Sequence, residues 1–449
     1  PASVPRLDEV SIDWRALAAA LGCAIAAAVL AGSAPILSAA RQRALDALRE
    51  RSTTGGPGNR RVQAALIAGE AAIAVVVVVV AVLLGESFLR LRGVDPGFRP
   101  DRVLSFRVTL PGTRYTAEAR SAFLEQALTR LRALPGVEAA GTIDSLPLGD
   151  DRQGSSFSIE GGPAFPDDRT PRMHLSIAGP GYFEAMGFRV LEGRTFEMRD
   201  RDGAEPVVMI NQALARQYFP GSSPVGRSIR VAMNTRTPRK IIGIVNDERH
   251  DSLSVTPMAG AYMPVLQFTW GAQAFVIRAS GRPEDLADAA RRTIRELDPT
   301  LAVFGLTTMD QVIEASVAAP RFATLLLTLF ALVALALAGV GVYGVTSHGV
   351  SARTAEIGVR MALGAGAGDI MRTLLGRSLA VAGVGIGIGL IGASGLSRLL
   401  ETMLFGVTAT SFHVYLAAGA IVAAAAALAC WIPARRAMTV DPNIVLRSE

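Results

Sequence analysis

RTAEIGVRMALGA, residues Arg353 to Ala365, is a short charged stretch lying between two long apolar runs. Phe322 to Val345 before it is nearly uncharged, and Ser378 to Leu396 after it is apolar and rich in glycine. The spacing predicts a helix with Ile357, Met361 and Gly364 along one face at i, i+4 and i+7, and with Arg353, Glu356 and Arg360 along another. Gly364 and Gly366 then loosen the chain before the next run. An amphipathic helix hung between two membrane spans cannot bury its apolar face within its own loop. It must lie on the bilayer surface or dock into a partner, and about two turns are short for firm lipid binding.

Outward from this stretch, five runs are long enough to span a bilayer at ~1.5 Å per residue: Leu17–Leu37, Val62–Leu84, Phe322–Val345, Ser378–Leu396 and Phe412–Ile432. Arginines fix their orientation. Arg41, Arg43, Arg49, Arg51, Arg60 and Arg61 lie between the first two runs, Arg353, Arg360, Arg372 and Arg377 between the third and fourth, and Arg435, Arg436 and Arg447 after the last. All fall on one side, which places the 230 or so mixed residues ending near Pro320 on the other. The chain opens at Pro1 with no basic segment ahead of its first apolar run, which reads as a fragment or a processed product.

Composition agrees with a mixed membrane and soluble protein. The 449 residues are 50% hydrophobic and 19% charged, and the mean hydropathy is +0.35. A net charge of +6 could suggest nucleic acid, but the basic residues cluster beside the apolar runs, and no nucleic-acid partner is expected. The two cysteines, Cys23 and Cys430, sit in apolar runs, so the region between them has no disulfide.

The large polar region reads as α/β. Leu104, Phe106, Val108 and Leu110 alternate with polar residues as in a half-buried strand; Phe123, Leu124, Ala127, Leu128, Leu131 and Leu134 follow at helical spacing; Val137–Ile143 returns as a strand. The same order recurs at Ala274–Ala279, Pro283–Leu297 and Leu301–Thr307. Two such βαβ halves, 102–147 and 273–310, predict one split, ferredoxin-like subdomain, with a Gly/Pro/Asp-rich, strand-dominated insertion over 149–270.

These motifs carry a resemblance. R-x-x-E-I-G-x-R-x-A-L-G-A from Arg353 is similar to the cytoplasmic signature of the MacB/FtsX-like ABC permeases (type VII ABC transporters). AGPGYFEAMGFRVLEGRTF (Ala178–Phe196), GRSI (Gly226–Ile229), IIGIVND (Ile241–Asp247) and YMPVLQ (Tyr262–Gln267) resemble the periplasmic core of the same family, so the likeness covers nearly all of residues 60–449. It implies that segment 351–364 is a coupling helix seated on a separate cytoplasmic ABC ATPase, with Arg353, Glu356, Ile357, Arg360, Met361 and Gly364 as the contact residues. It also implies a multi-pass protein of the inner membrane with its large domain in the periplasm, a dimeric or pseudo-dimeric assembly, and a periplasmic adaptor among its partners. Pro35–Glu50 aligns with the segment from Pro433, Leu48-Arg49 falling on Leu446-Arg447, as in the family's duplicated permeases. The expected organisation is therefore the last span and tail of a preceding unit (1–61), a first span (62–89), a periplasmic domain (90–320) and an FtsX-like domain with three spans (321–449). Export of a substrate and regulation of an external partner such as a wall hydrolase both fit this architecture.

Searches for chemistry of the chain's own mostly fail. The single lysine, Lys240, precedes Ile241-Ile242, whereas a phosphate-cradling loop needs Gly-Lys-Ser/Thr, so no cofactor is expected here and ATP would be bound by the partner. Gly387-x-Gly389-x-x-Gly392 matches a dinucleotide fingerprint but lies inside an apolar run; Gly383/Gly387 and Gly385/Gly389 read instead as helix-packing glycines. His174, His250, His348 and His413 are scattered along the chain, without metal-ligand spacing, and no metal is expected. Asp144, Asp150 and Asp151 near Ser145 read as a solvated loop. Glu70, an acid inside an apolar run, is a functional candidate by default, although Arg61 nine residues away could relieve its cost near the interface.

Overall fold

A computed structural model of the chain describes residues 57–149, 154–162, 170–232, 237–268, 271–351, 366–401 and 404–438, apart from two isolated positions before them. The first apolar run and the whole stretch Arg353–Ala365 lie outside the described residues. The chain divides into two compact units, Leu91–Ala318 and the remainder on either side of it.

In the Leu91–Ala318 unit, the first half is β1 (Val103–Thr109), α2 (Ala117–Arg132) and β2 (Val137–Ile143), α1 being the membrane helix described below. The alternation of Leu104, Phe106 and Val108 makes β1 a strand, and Thr116 starts α2 by accepting from the Ala119 N–H. The insertion supplies β3 (Gly154–Ile159), β4 (Arg172–Ala178), α3 (Tyr182–Met186), β5 (Val190–Gly193), β6 (Val207–Asn211), α4 (Gln212–Tyr218), β7 (Ser228–Val231), β8 (Pro238–Val245) and β9 (Gly260–Pro264). The second half is β10 (Ala272–Ala279), α5 (Ala287–Leu297), β11 (Val303–Thr308) and α6 (Met309–Ser316). Its helix differs from the expected Pro283–Leu297: a 3-10 turn, Pro283–Leu286, precedes α5, because Pro283 fixes the first turn but gives it no N–H. Thr308 and Gln311 close a reciprocal capping box on α6.

The sheet order β11-β1-β10-β2 runs antiparallel throughout, each half's helix crossing over a strand of the other half. That is the split ferredoxin-like arrangement expected. One face of these strands packs Phe106 and Phe275, stacked at 5.2 Å, against Leu124, Leu128, Leu131 and Ile294 of α2 and α5. The other face meets Tyr182, Phe183, Met186 and Met309. The insertion does not form a separate sheet: Ile143 of β2 pairs Ala178 of β4. From there β4, β3, β7, β8, β6 and β9 pair in turn and β9 returns to β4, closing a small ring filled by Phe157, Leu175, Ile210, Leu214, Ile229 and Met263. Closure leaves these strands no free edge.

The other unit contains α1 (Pro57–Arg92, counted here to Arg90), α7 (Ala318–Ser351), α8 (Ala367–Leu399) and α9 (Phe412–Met438). All four are long and apolar enough to cross a membrane. Half of the apolar window of α1 is buried within the chain, against 17–22% for the others, so the valine run is the hub of the packing. Val75, Val78 and Val79 are enclosed, whereas Leu325, Leu332, Val340 and Ile391 stay exposed, as lipid-facing side chains do. The last helix outruns its apolar stretch and continues through Pro433 to Met438, since one proline near a helix end removes a single backbone bond.

Candidate functional site

In the membrane unit, the site is built on contact between α1 and its neighbours. Residues four apart share a helix face, so Gly385 and Gly389 present bare backbone together. A Cβ at Gly385 would lie 2.4 Å from the Ala68 carbonyl oxygen, and one at Gly389 2.6 Å from that of Ala72. Gly383 and Gly387, on the same helix, have nothing within 4 Å of such an atom. Gly341 of α7 is a third close approach: a Cβ there would lie 1.9 Å from Glu70 Oε2. That oxygen is enclosed and makes no hydrogen bond. The neighbour the structure gives Glu70 is therefore the bare backbone of another span.

Polar groups tie the same helices at both ends. Thr346 Oγ1 lies 3.3 Å from Ser378 Oγ and 3.7 Å from Cys430 Sγ, joining α7, α8 and α9. Ser397 and Tyr415 bond at 2.6 Å between α8 and α9. Glu86 of α1 accepts from His413 at 3.1 Å and pairs with Arg90, which also donates to the Gly406 carbonyl. The coupling candidates Arg353, Glu356, Ile357, Arg360, Met361 and Gly364 lie outside the described residues; α7 ends at Ser351 before them and α8 begins at Ala367 after them.

In the Leu91–Ala318 unit, residues read as scattered come together. His174 on β4 and His250, after β8, lie against each other with ring centroids 3.6 Å apart and ring planes tilted by 38°. Strands β4 and β8 are both members of the closed ring, and no spacing in the sequence announces that contact. Tyr262 on β9 donates to Glu248 Oε1 at 2.8 Å, and His250 Nδ1 lies 3.5 Å from the same oxygen. Burial, then the charge of His250 beside it, push His174 down to about 4. Burial also opposes the His250 cation, but Glu248, Asp251 and Asp144 outweigh it and raise that histidine. Burial likewise opposes charge on Glu248, yet His250 and Tyr262 hold it below the usual carboxylate range.

Asp144 corrects the solvated-loop reading. It is 8% exposed, and its Oδ1 accepts the N–H groups of Ser145 and Ile177 at 2.9 Å each, pinning the end of β2 to β4. Burial raises its carboxyl to about 6 despite those two donors. Asp150 and Asp151 lie outside the described residues. The motif around Tyr182 and Phe183 does what its glycines suggest: Gly181 and Gly187, at φ +83° and +69°, bracket a five-residue helix and tuck both rings into the core beside Phe188 and Tyr262.

Residues 68–297 match the model of the MacB-like periplasmic core domain, and residues 328–442 that of the FtsX-like permease C-terminal domain. The chain belongs to the MacB/FtsX-like ABC permeases. Among its relatives is a macrolide export ATP-binding/permease protein, MacB, of Chromobacterium violaceum, 29% identical over 63% of the permease and 44% of the relative. A pyoverdine export ATP-binding/permease protein, PvdT, of Pseudomonas aeruginosa is 28% identical over 59% and 41%. The permease thus spans less than half the length of these curated relatives. The crystal structure of the periplasmic region of MacB from Actinobacillus actinomycetemcomitans compares at TM-score 0.33 and 15% identity, covering 51% of the permease and 95% of that chain. Lys240, the one lysine of the permease, lies on β8 of the periplasmic-type unit and pairs with Glu205 at 3.1 Å.

Proposed function

We propose that this permease carries the energy of ATP hydrolysis on a separate cytoplasmic ABC ATPase to the periplasmic-type unit, driving export of a substrate on the outer side of the inner membrane. The observation that supports this reading is the order along the chain. A charged, helix-forming stretch, Arg353–Ala365, joins α7 to α8 inside the FtsX-like domain, and a MacB-like core domain precedes it. The arginines beside the spans favour a cytoplasmic location for that stretch.

Met361 and Ile357 would supply the apolar contact with the ATPase, since methionine adapts to irregular grooves. Glu356 and Arg360, at i and i+4, add only ~0.3–0.5 kcal/mol as a surface pair. Paired with charges of the partner they matter more, because breaking one half of a buried pair costs ~3–5 kcal/mol. ATP would be held by the partner alone, and two permease units would sit on an ATPase dimer. The experiment is permease-stimulated ATP turnover with the cognate ATPase. Glu356→Arg and Met361→Asp should abolish stimulation while expression and thermal stability stay normal. Unchanged stimulation in both variants would remove this stretch as the coupling element.

A further inference from the structure

Beside the paired histidines the Leu91–Ala318 unit holds a cavity of about 300 Å³. Its walls include Arg172 and His174 of β4, Glu248, His250 and Asp251 of the segment after β8, and Met258 at the mouth. The side chains of Glu248 and His250 are only 4% and 8% exposed. Glu248 Oε1 has its donor in Tyr262, but Glu248 Oε2 has none, and neither ring nitrogen of His250 makes a hydrogen bond. The His250–Glu248 separation of 3.5 Å is an ion-pair distance, too long for a good hydrogen bond. An enclosed carboxylate oxygen without a donor is costly unless something fills the site.

The charges decide what fills it. Once pH has passed the raised range of His250, both histidines are neutral, the lining acids Glu248 and Asp251 outnumber Arg172, and Asp144 adds a buried carboxylate facing His250. The lining therefore favours a cation with N–H donors. The mouth favours hydrocarbon: Met258 is 57% exposed and Val255 42%, both beside the opening. A metal ion would need three or more closely grouped ligands, and no such group of His, Cys, Asp and Glu occurs among the described residues.

We propose that this cavity binds a small organic ammonium ion, its charge held against the Glu248 carboxylate and its hydrocarbon body lying against Met258 and Val255. The assignment stands apart from the coupling reading, because it concerns occupancy of this unit alone. Protonation competes with the ligand. A proton on His250 neutralises Glu248, so the ammonium binds better as pH rises through the range, raised above that of an ordinary histidine, where His250 loses it. The other groups beside this pair are His174, held neutral over that range by its depressed value, Asp251, Asp144, whose buried carboxyl is raised to about 6, and, next to Glu248, Tyr262 and Tyr182, uncharged throughout.

The probe is 2-phenylethylammonium, titrated calorimetrically into the full chain in a neutral detergent, with 2-phenylethanol as the uncharged control. The expected result is saturable binding of the amine alone, tightening with pH. Glu248→Gln, which keeps the shape of the side chain, should weaken it roughly thirtyfold or more. Met258→Ser, at an exposed position that folding does not depend on, should weaken it by roughly threefold to tenfold. Equal binding of the alcohol, binding unmoved by either variant, or no saturable binding because ordered water alone fills the cavity would each overturn the proposal.

Discussion

The two glycine pairs of α8 provide an internal comparison, because they share one helix and differ only in what they face. Replacing both Gly385 and Gly389 with alanine puts methyl groups 2.4 Å and 2.6 Å from carbonyl oxygens of α1. To regain an ordinary contact of 3.4 Å, α8 must retreat by about 1 Å from the most enclosed helix of the unit. A gap of that size forfeits roughly a quarter to a half of the dispersion energy along the seam. Overpacking typically costs ~1–3 kcal/mol, and the better helix propensity of alanine returns up to ~1 kcal/mol per site. The sites share one seam, so their effects do not add, and a net loss of about 1–3 kcal/mol is expected for the pair. Gly383→Ala with Gly387→Ala meets nothing within 4 Å and should be neutral or stabilising. Thermal unfolding of the purified chain in one detergent, followed by circular dichroism, gives the order directly. A loss for the Gly383/Gly387 pair as large as that for Gly385/Gly389 would refute the assigned packing face.

Arg278 is 8% exposed and donates to the carbonyls of Arg99, Asp101 and Ala185 at 2.8–3.0 Å; Arg278→Met should destabilise the Leu91–Ala318 unit by about 3 kcal/mol or more, read by chemical denaturation. A variant as stable as the parent would mean that those carbonyls find other partners. The isolated chain should neither bind nor hydrolyse ATP, because its one lysine is engaged with Glu205 on a strand; saturable micromolar binding of a fluorescent nucleotide, competed by ATP, would contradict this.

Local periodicity made the ferredoxin-like half legible. Leu104, Phe106 and Val108 alternate, the helix after them repeats at 3.6, and the second copy of the pattern forces an interleaved sheet. The closed ring was not legible, because pairing β9 beside β4 is a long-range event that neither strand's own pattern encodes. The contact of His174 with His250 follows from that closure, which is why the histidines read as scattered. Asp144 misled for a related reason: its neighbours in sequence are turn-forming, but its hydrogen-bond partner Ile177 belongs to another strand. The glycine run of α8 announced close packing, yet two faces of one helix look alike in sequence until a neighbour covers one of them.

The account requires the Leu91–Ala318 unit and the Arg353–Gly364 stretch to lie on opposite faces of the membrane, since only then must a signal between them cross it. The direct measurement uses single cysteines at Ser222, exposed in the first of these, and at Ser351, the last residue of α7, in a background lacking Cys23 and Cys430. An impermeant thiol reagent applied to intact spheroplasts should label position 222 and spare position 351 until the membrane is opened. Labelling at 351 in intact cells, or protection at 222 that persists after the domain is unfolded, would contradict the account.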